Sequence, residues 1–424
     1  LSPNDKIAEI FQINYGRLLA YLASIHFDLS LVEDSLQDAF LSAIKHWTER
    51  GIPDNPQAWL FKTAKNKLID KLRFEKREND YSENFDDSFV DEQSLIAEQD
   101  SFPDERLKLL YVCAHPAIDR AIHTPLMLQT VFGFSAEKIA KAFVTSPATM
   151  SQRLVRAKNK IKENRIPFKI PMTEELPQRL ESVLNAIYVL YSSGWDCENE
   201  MNPTANDFSQ EAIFLARLIV DLCDAHPETL GLLSLILFCQ ARQKSRIGKD
   251  GSFCPFSEQD ASLWSRELME EAERCLFRAS ITKSVGRFQI EAAIQSAHCQ
   301  AKINNQDLSD EIVNLYKTLL TIHPSLGAKI SYASVLLLSG ETEKSIKIIE
   351  TLDFEEIKTY QPYWVVKAAI YSVTNDVSLA KAAYEKAISL SERQEIKLYL
   401  SKKRNELSFD MPFISRFSKR DNLE

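Results

Sequence analysis

Glycine is scarce in this chain, at 10 residues in 424. A parallel α/β enzyme of this length carries more, because its ligand loops need positive φ and close backbone approach. The scarcity, with abundant Leu, Ala, Ile, Glu, Lys and Ser, points to an all-α protein. Long hydrophobic runs are missing too. No stretch reaches the ~18 apolar residues of a membrane span, so no membrane partner is expected. The opening Leu1-Ser2-Pro3-Asn4-Asp5 has no basic stretch leading into an apolar core, so no secretory signal is expected. A basic excess is lacking: 51 Lys and Arg stand against 60 Asp and Glu, for a net charge of −9. The whole chain is therefore not a polycation built for nucleic acid.

No CxxC occurs, and the cysteine count, 7, is odd. Cys113, Cys197, Cys223, Cys239, Cys254, Cys275 and Cys299 sit mostly in apolar helical patterns. They are expected to be reduced and buried, in a cytoplasmic protein. Cys113-Ala114-His115 has no second pair at zinc spacing near it, so no metal or other cofactor is expected. HExxH, GxSxG, Walker and GxGxxG patterns are also absent. His115, His298 and His323 stand without neighbours that suggest a triad. No enzymatic centre is expected.

What remains is an ordinary globular balance, 45% hydrophobic and 26% charged, in a length that suggests two to three domains. Residues 4–79 read as three consecutive helices. Ile7, Ile10, Phe11, Asn14, Leu18 and Leu22 share one face of the first. Val32, Leu36, Phe40, Ala43 and Trp47 stripe the second, from Ser30 to Trp47, with Ser30 and Glu33 spaced as a capping box. A breaker-rich loop from Thr48 to Pro56 leads into the third, about Pro56 to Glu78. Residues 81–105 hold nine acidic side chains and no Lys or Arg, and read as a linker. Residues 106–168 form a second helical module that ends in a helix–turn–helix pattern. Its first helix runs from Ser135 to Phe143, with Ile139 and Phe143 inward. Its second, capped by Ser146 with Pro147 in the first turn, runs to about Glu163 over a stripe of Met150, Leu154, Ala157 and Ile161.

After Ile166-Pro-Phe-Lys-Ile-Pro-Met172, residues 174–424 read as one larger helical domain. Ala333, Gly340, Ser345, Ile349 and Leu352 are followed, at a constant offset of 35, by Ala368, Asn375, Ala380, Tyr384 and Ala387. That period is close to the tetratricopeptide length, and small residues at 333 and 368 would let paired helices approach closely.

Charge is unevenly placed in the first half. Residues 62–77 hold seven Lys and Arg against Asp70 and Glu75, and residues 135–169 hold nine against Glu137 and Glu163. One such helix can be a solvated face. Two, one of them in a helix–turn–helix, point to phosphate neutralisation by clustered cations. Side chains at the start of the second helix are the ones that reach base edges in a major groove.

These residues resemble a known family. Leu31-Val-Glu-Asp-Ser-Leu-Gln-Asp-Ala-Phe40 is similar to the core-binding segment of bacterial RNA polymerase sigma factors. Ala58-Trp-Leu-Phe-Lys-Thr-Ala-Lys-Asn-Lys-Leu-Ile-Asp-Lys-Leu-Arg73 resembles the −10 segment of the extracytoplasmic-function (ECF) group, and Phe134 to Lys162 its −35 segment. The remainder is similar to the long tetratricopeptide-like extension of one sigma subgroup, through Glu181 to Tyr191, Glu211 to Leu218, Glu228 to Leu237, Asp250-Gly251 and Glu258 to Trp264.

The resemblance implies an all-α chain of two small sigma modules, residues 1–80 and 106–168, joined by the acidic linker and followed by a helical-repeat domain. It implies a sigma factor that binds core RNA polymerase, at the beta-prime clamp and beta flap, and directs initiation at promoter DNA. Glu33, Asp34, Gln37, Asp38 and Phe40 would meet polymerase. Trp59, Lys62, Lys65, Asn66 and Arg73 would meet the −10 element, although a Trp at the helical spacing of Trp59 is more often core. Thr149, Gln152 and Arg153 would read −35 bases, with Arg156, Lys158 and Lys160 on phosphates. The extension is expected to take a peptide or protein ligand and to regulate the sigma part by packing on it or on polymerase. The competing readings are an interaction scaffold with vestigial sigma modules and a helix–turn–helix repressor.

Overall fold

The computed structural model describes residues 3–78, 105–143, 145–172, 175–196, 204–223, 226–282 and 284–407. Among them the chain is all-α, with nineteen α-helices, no strand, and an isolated bridge between Ile247 and Phe253. Most of the acidic segment lies outside the described residues. The helices form two compact units, Leu1–Cys223 and Asp224–Glu424.

The first unit begins with α1 (Pro3–Ile25), α2 (Leu29–Arg50) and α3 (Pro56–Glu78). Their apolar stripes meet over Leu18, Leu22, Leu36, Leu60 and Leu68, all fully buried. The α2 cap is Asp28, not Ser30: its carboxylate accepts from the N–H groups of Ser30 and Leu31 at 3.0 and 3.2 Å. A capping box would need Glu33 to reach back, and Glu33 is engaged elsewhere. Gly51 ends α2 at φ +86°, where other residues are strained, and donates its N–H to the Trp47 carbonyl at 2.9 Å.

Next come α4 (Arg106–Cys113), α5 (Arg120–Thr130), α6 (Ala136–Ala142) and α7 (Pro147–Glu163). Here the turn chemistry read from sequence holds. Ser135 caps α6, Ser146 caps α7 by accepting from the Thr149 N–H at 3.1 Å, and Pro147 occupies the first turn. Met150, Leu154, Ala157 and Ile161 are buried. Phe143, expected inward beside Ile139, is exposed, because α6 closes one residue earlier.

Two further helices, α8 (Leu176–Asp196) and α9 (Thr204–Leu222), complete this unit. The compact unit therefore runs past the expected boundary at 174. The reason is that α8 and α9 pack on α4 and α5: His123 Nδ1 lies 3.1 Å from Ser182 Oγ, and Phe134 meets Phe208 edge-on at 5.3 Å.

In the second unit α10 (Pro227–Ala241) is buried almost all round, between α11 (Arg266–Ile281) and α12 (Arg287–Asn304). Helix pairs follow: α13 (Ser309–Ile322) with α14 (Leu326–Leu338), then α15 (Thr342–Glu350), the short α16 (Phe354–Ile357), α17 (Gln361–Val373), α18 (Val377–Leu390) and α19 (Gln394–Glu406). The 35-residue period seen in sequence is a period of structure. Ala333 and Ala368 are fully buried, as are Ser345 and Ala380. Gly340 and Asn375, one period apart, both adopt left-handed φ, +81° and +64°, at corresponding interhelix turns. Cys113, Cys275 and Cys299 are buried thiols, and burial pushes Cys113 and Cys299 up to about 12.

Candidate functional site

The chemistry singled out in sequence gathers on three helices of the first unit. On α2, Asp34 and Gln37 are exposed and Asp38 is half-buried. Leu41 and Ile44 continue their stripe at helical spacing and are 59% and 43% exposed. Asp34, Gln37, Leu41 and Ile44 thus leave an acidic and apolar row of α2 open to solvent. Phe40 lies beside the stripe and is already packed: its ring stacks on Phe11 at 4.3 Å and approaches Tyr15 at 6.4 Å. Asp38 bridges to Lys71 of α3 at 2.8 Å, which ties α2 to α3.

The α3 residues divide between two faces. Lys62, Asn66 and Arg73 are exposed along one side. Lys65 faces the other way. It is buried among the Leu60, Ala64 and Leu68 stripe, with its ammonium 5.8 Å from the Phe61 ring centre, and burial lowers its pKa. The resemblance implies a DNA contact for Lys65, whereas its side chain is packed inward here. Trp59 is half-buried, packed edge-on against Trp47 at 5.4 Å and stacked near His46 at 5.8 Å.

On α7 the exposed face carries Gln152, Arg153, Arg156 and Lys160. Arg156 Nε donates to the Gln152 carbonyl at 3.3 Å, so its stem lies along the helix. Thr149 is half-buried and shares its hydroxyl with the cap: Ser146 Oγ lies 2.8 Å from Thr149 Oγ1. Lys158, expected on a phosphate, points inward. Its Nζ sits 2.5 Å from Glu33 Oε2, and the two side chains are 8% and 13% exposed. Burial pushes the Glu33 carboxyl above the usual carboxylate range, against the pull of Lys158. The residue expected on polymerase and the residue expected on DNA are therefore paired with each other.

Several residues at this junction carried no sequence signal. Lys162 reaches Asp28 at 2.7 Å, a second bridge from α7 to the start of α2. Arg106 of α4 is buried, paired with Glu211 of α9 and 5.6 Å from the Phe214 ring centre. Among the described residues no cluster of three His, Cys, Asp or Glu could hold a metal ion, and no helix is long and apolar enough to cross a membrane.

Comparison with known proteins agrees with part of this geometry. The sigma-70 region 2 family model matches residues 10–78, which is nearly all of α1 to α3. A family of unknown function, DUF6596, matches residues 179–280, from α8 to α11. An uncharacterized protein of Rhizobium meliloti (strain 1021), R00370, is 30% identical over 409 residues, 96% of each chain. No solved structure matches.

Proposed function

On the premise that the chain belongs to one family with R00370 of Rhizobium meliloti and carries a sigma-70 region 2, with the sigma-factor-like role in transcription initiation which that domain supports, we propose that it is an ECF-type sigma factor. The carrying observation is the open stripe on α2, Asp34, Gln37, Asp38, Leu41 and Ile44. It suits a basic, partly apolar coiled coil such as the beta-prime clamp. The exposed basic and amide side chains fall on two further helices. Lys62, Asn66 and Arg73 on α3 face the −10 element, and Gln152, Arg153, Arg156 and Lys160 on α7 face the −35 element. The chain then needs no phosphoryl-transfer chemistry of its own, because polymerase supplies it. It acts in the cytoplasm, where polymerase and promoter meet. The tetratricopeptide-like helix pairs after residue 224 take a peptide or protein ligand and regulate the sigma part.

The test is co-purification with bacterial core RNA polymerase, followed by transcription from fragmented genomic DNA. Stable binding and discrete start sites are expected. The double variant Asp34→Lys, Leu41→Glu should lose polymerase while keeping its helicity. A full chain that binds no polymerase under any condition overturns the reading.

A further inference from the structure

The second unit is a series of packed neighbours. Helix α10 packs on α12, α12 on α13, α13 on α14, α14 on α17, α17 on α18 and α18 on α19. A stack built from neighbour contacts keeps its ends apart unless it curls. Here the segment between α10 and α11 reaches the last helix: the Phe253 N–H donates to the Glu395 carbonyl in the first turn of α19, at 3.0 Å. Residues 247–259 therefore lie on the inner side of the curl, the side on which helical arrays take extended ligands.

This segment is anchored unequally. Its root is buried. Arg242, which closes α10, donates to Gln259 Oε1 at 3.3 Å and to Gln295 Oε1 of α12 at 2.7 Å. The Arg242 guanidinium lies 4.7 Å from the Phe256 ring centre, and that ring packs 5.3 Å from His298 of α12. Gln259 Nε2 donates to the Cys254 carbonyl at 3.1 Å, and Trp264 Nε1 to Ser245 Oγ at 2.8 Å. Arg242, Ser245, Gln259 and Trp264 are all buried, and a buried polar network is costly to break.

The tip is held differently. A bridge pairs Ile247 with Phe253, and the turn between them carries Gly251 at φ +74°. Beyond the Phe253–Glu395 bond, the Phe253 ring meets Tyr399 edge-on at 5.9 Å, Asp250 pairs with Lys402 at 3.8 Å and Glu258 with Lys403 at 3.3 Å. Glu395, Tyr399, Lys402 and Lys403 form one stripe of α19. Asp250, Glu258 and Lys402 are each more than half exposed, and exposed ion pairs hold weakly and are screened by salt.

We propose that residues 247–259 are a strap that occupies the ligand surface of this unit, and that the ligand is an acidic, extended segment of a partner protein that displaces the strap tip from α19. The strap shows the chemistry such a segment must offer: a carboxylate for Lys402, an aromatic ring three residues later for Tyr399, and a backbone N–H for the Glu395 carbonyl. The buried root stays in place, so release of the tip uncovers the stripe without unfolding the unit. The strap rests on the reading above that these helix pairs take a peptide or protein ligand, and is independent of the sigma reading. While the tip is seated, a ligand binds only the fraction of molecules whose tip is free, and its apparent affinity falls by that fraction.

The full-length chain tests this with two variants. Asp250→Lys with Phe253→Ala removes the carboxylate and the ring of the tip and leaves the root intact. Lys402→Glu alone, at an exposed position, repels Asp250 from the other side. Hydrogen exchange at the backbone amide of residue 253 reads release, and should quicken at least about tenfold in both variants. The ligand probe is a labelled peptide of the strap's own sequence, Arg246 to Gln259. The tip variant should bind it at least about tenfold more tightly than the native chain does. Adding Lys402→Glu to the tip variant should abolish that gain, and a probe carrying Asp250→Lys should restore it. Unchanged exchange in both variants overturns the strap and leaves the peptide-ligand reading standing. Faster exchange without probe binding overturns the strap's role and the peptide-ligand reading together. Equal probe binding by native and tip-variant chains, or binding indifferent to Lys402→Glu, overturns the assignment of the α19 stripe as the occupied surface.

Discussion

Helices α3 and α7 are alike in sequence and unlike in structure. Each is basic, each has proline at its first position, and each turns one lysine inward, Lys65 and Lys158. Lys65 lies over the Phe61 ring on its own helix, where its stem covers apolar surface and burial lowers its pKa. Lys158 meets a carboxylate 125 residues away, on a different module. The first burial is local packing. The second joins α7 to α2. The same residue type in the same pattern serves different ends, and the partner across the interface decides which.

The largest effect should come from the inter-module lysine. Lys158→Met leaves Glu33 buried beside an apolar group, and should destabilise the first unit by about 3–5 kcal/mol in denaturant unfolding, since breaking a buried pair strands one charge. The second variant Glu33→Gln, added to it, should return much of that loss; a double variant as unstable as the single would break the contrast.

His298, in the second unit, tests burial without a counter-charge. Its pKa is pushed down to about 4 by burial, with Arg242 adding repulsion. The folded value lies below the unfolded one of about 6.5, so the unfolded chain binds more protons between them. Stability should therefore fall as pH drops from about 6.5 to 4, by up to about 3 kcal/mol, and His298→Gln should flatten that branch of a pH-resolved unfolding profile.

On the exposed face of α7, Arg153→Ala should cost about 1–3 kcal/mol in binding to a cognate −35 duplex and relax preference at one base pair. Uniform weakening across sequences, with a shallower salt dependence, would place Arg153 on phosphate instead. Smallest of all should be Lys65→Met. It exchanges a desolvated ammonium for an apolar group and should shift stability by less than about 1 kcal/mol, leaving DNA affinity unchanged. A marked loss of DNA affinity would return Lys65 to the promoter surface.

Much of the local structure was legible in advance. Ser135, Ser146 and Pro147 announced α6 and α7, Pro56 announced α3, and the stripe Met150, Leu154, Ala157, Ile161 announced the face that α7 buries. The repeat offset of 35 predicted paired helices, and Gly340 and Asn375 now stand at equivalent left-handed turns. The resemblance follows motif position, and so implies DNA contacts for Lys65 and Lys158 and a polymerase contact for Phe40, whereas the structure packs all three. Each side chain sits at the edge of an apolar stripe, where a rotation of a few tens of degrees separates inside from outside. Ser30 was read as the α2 cap because its spacing to Glu33 fits a capping box; Asp28, two residues earlier, holds the first free N–H groups instead.

By itself the sequence determined where most helices lie and most of their apolar faces, because these depend on residues within a turn or two of one another. It also pointed to an all-α fold, which the described residues show, and carries a match to sigma-70 region 2. Only the tertiary structure decided which faces remain open. That Glu33 meets Lys158, that Asp28 meets Lys162, and that Gly16 admits the Val131 carbonyl are consequences of packing between segments more than 100 residues apart. No local periodicity encodes such pairs, because a helix specifies what it will bury but not against what.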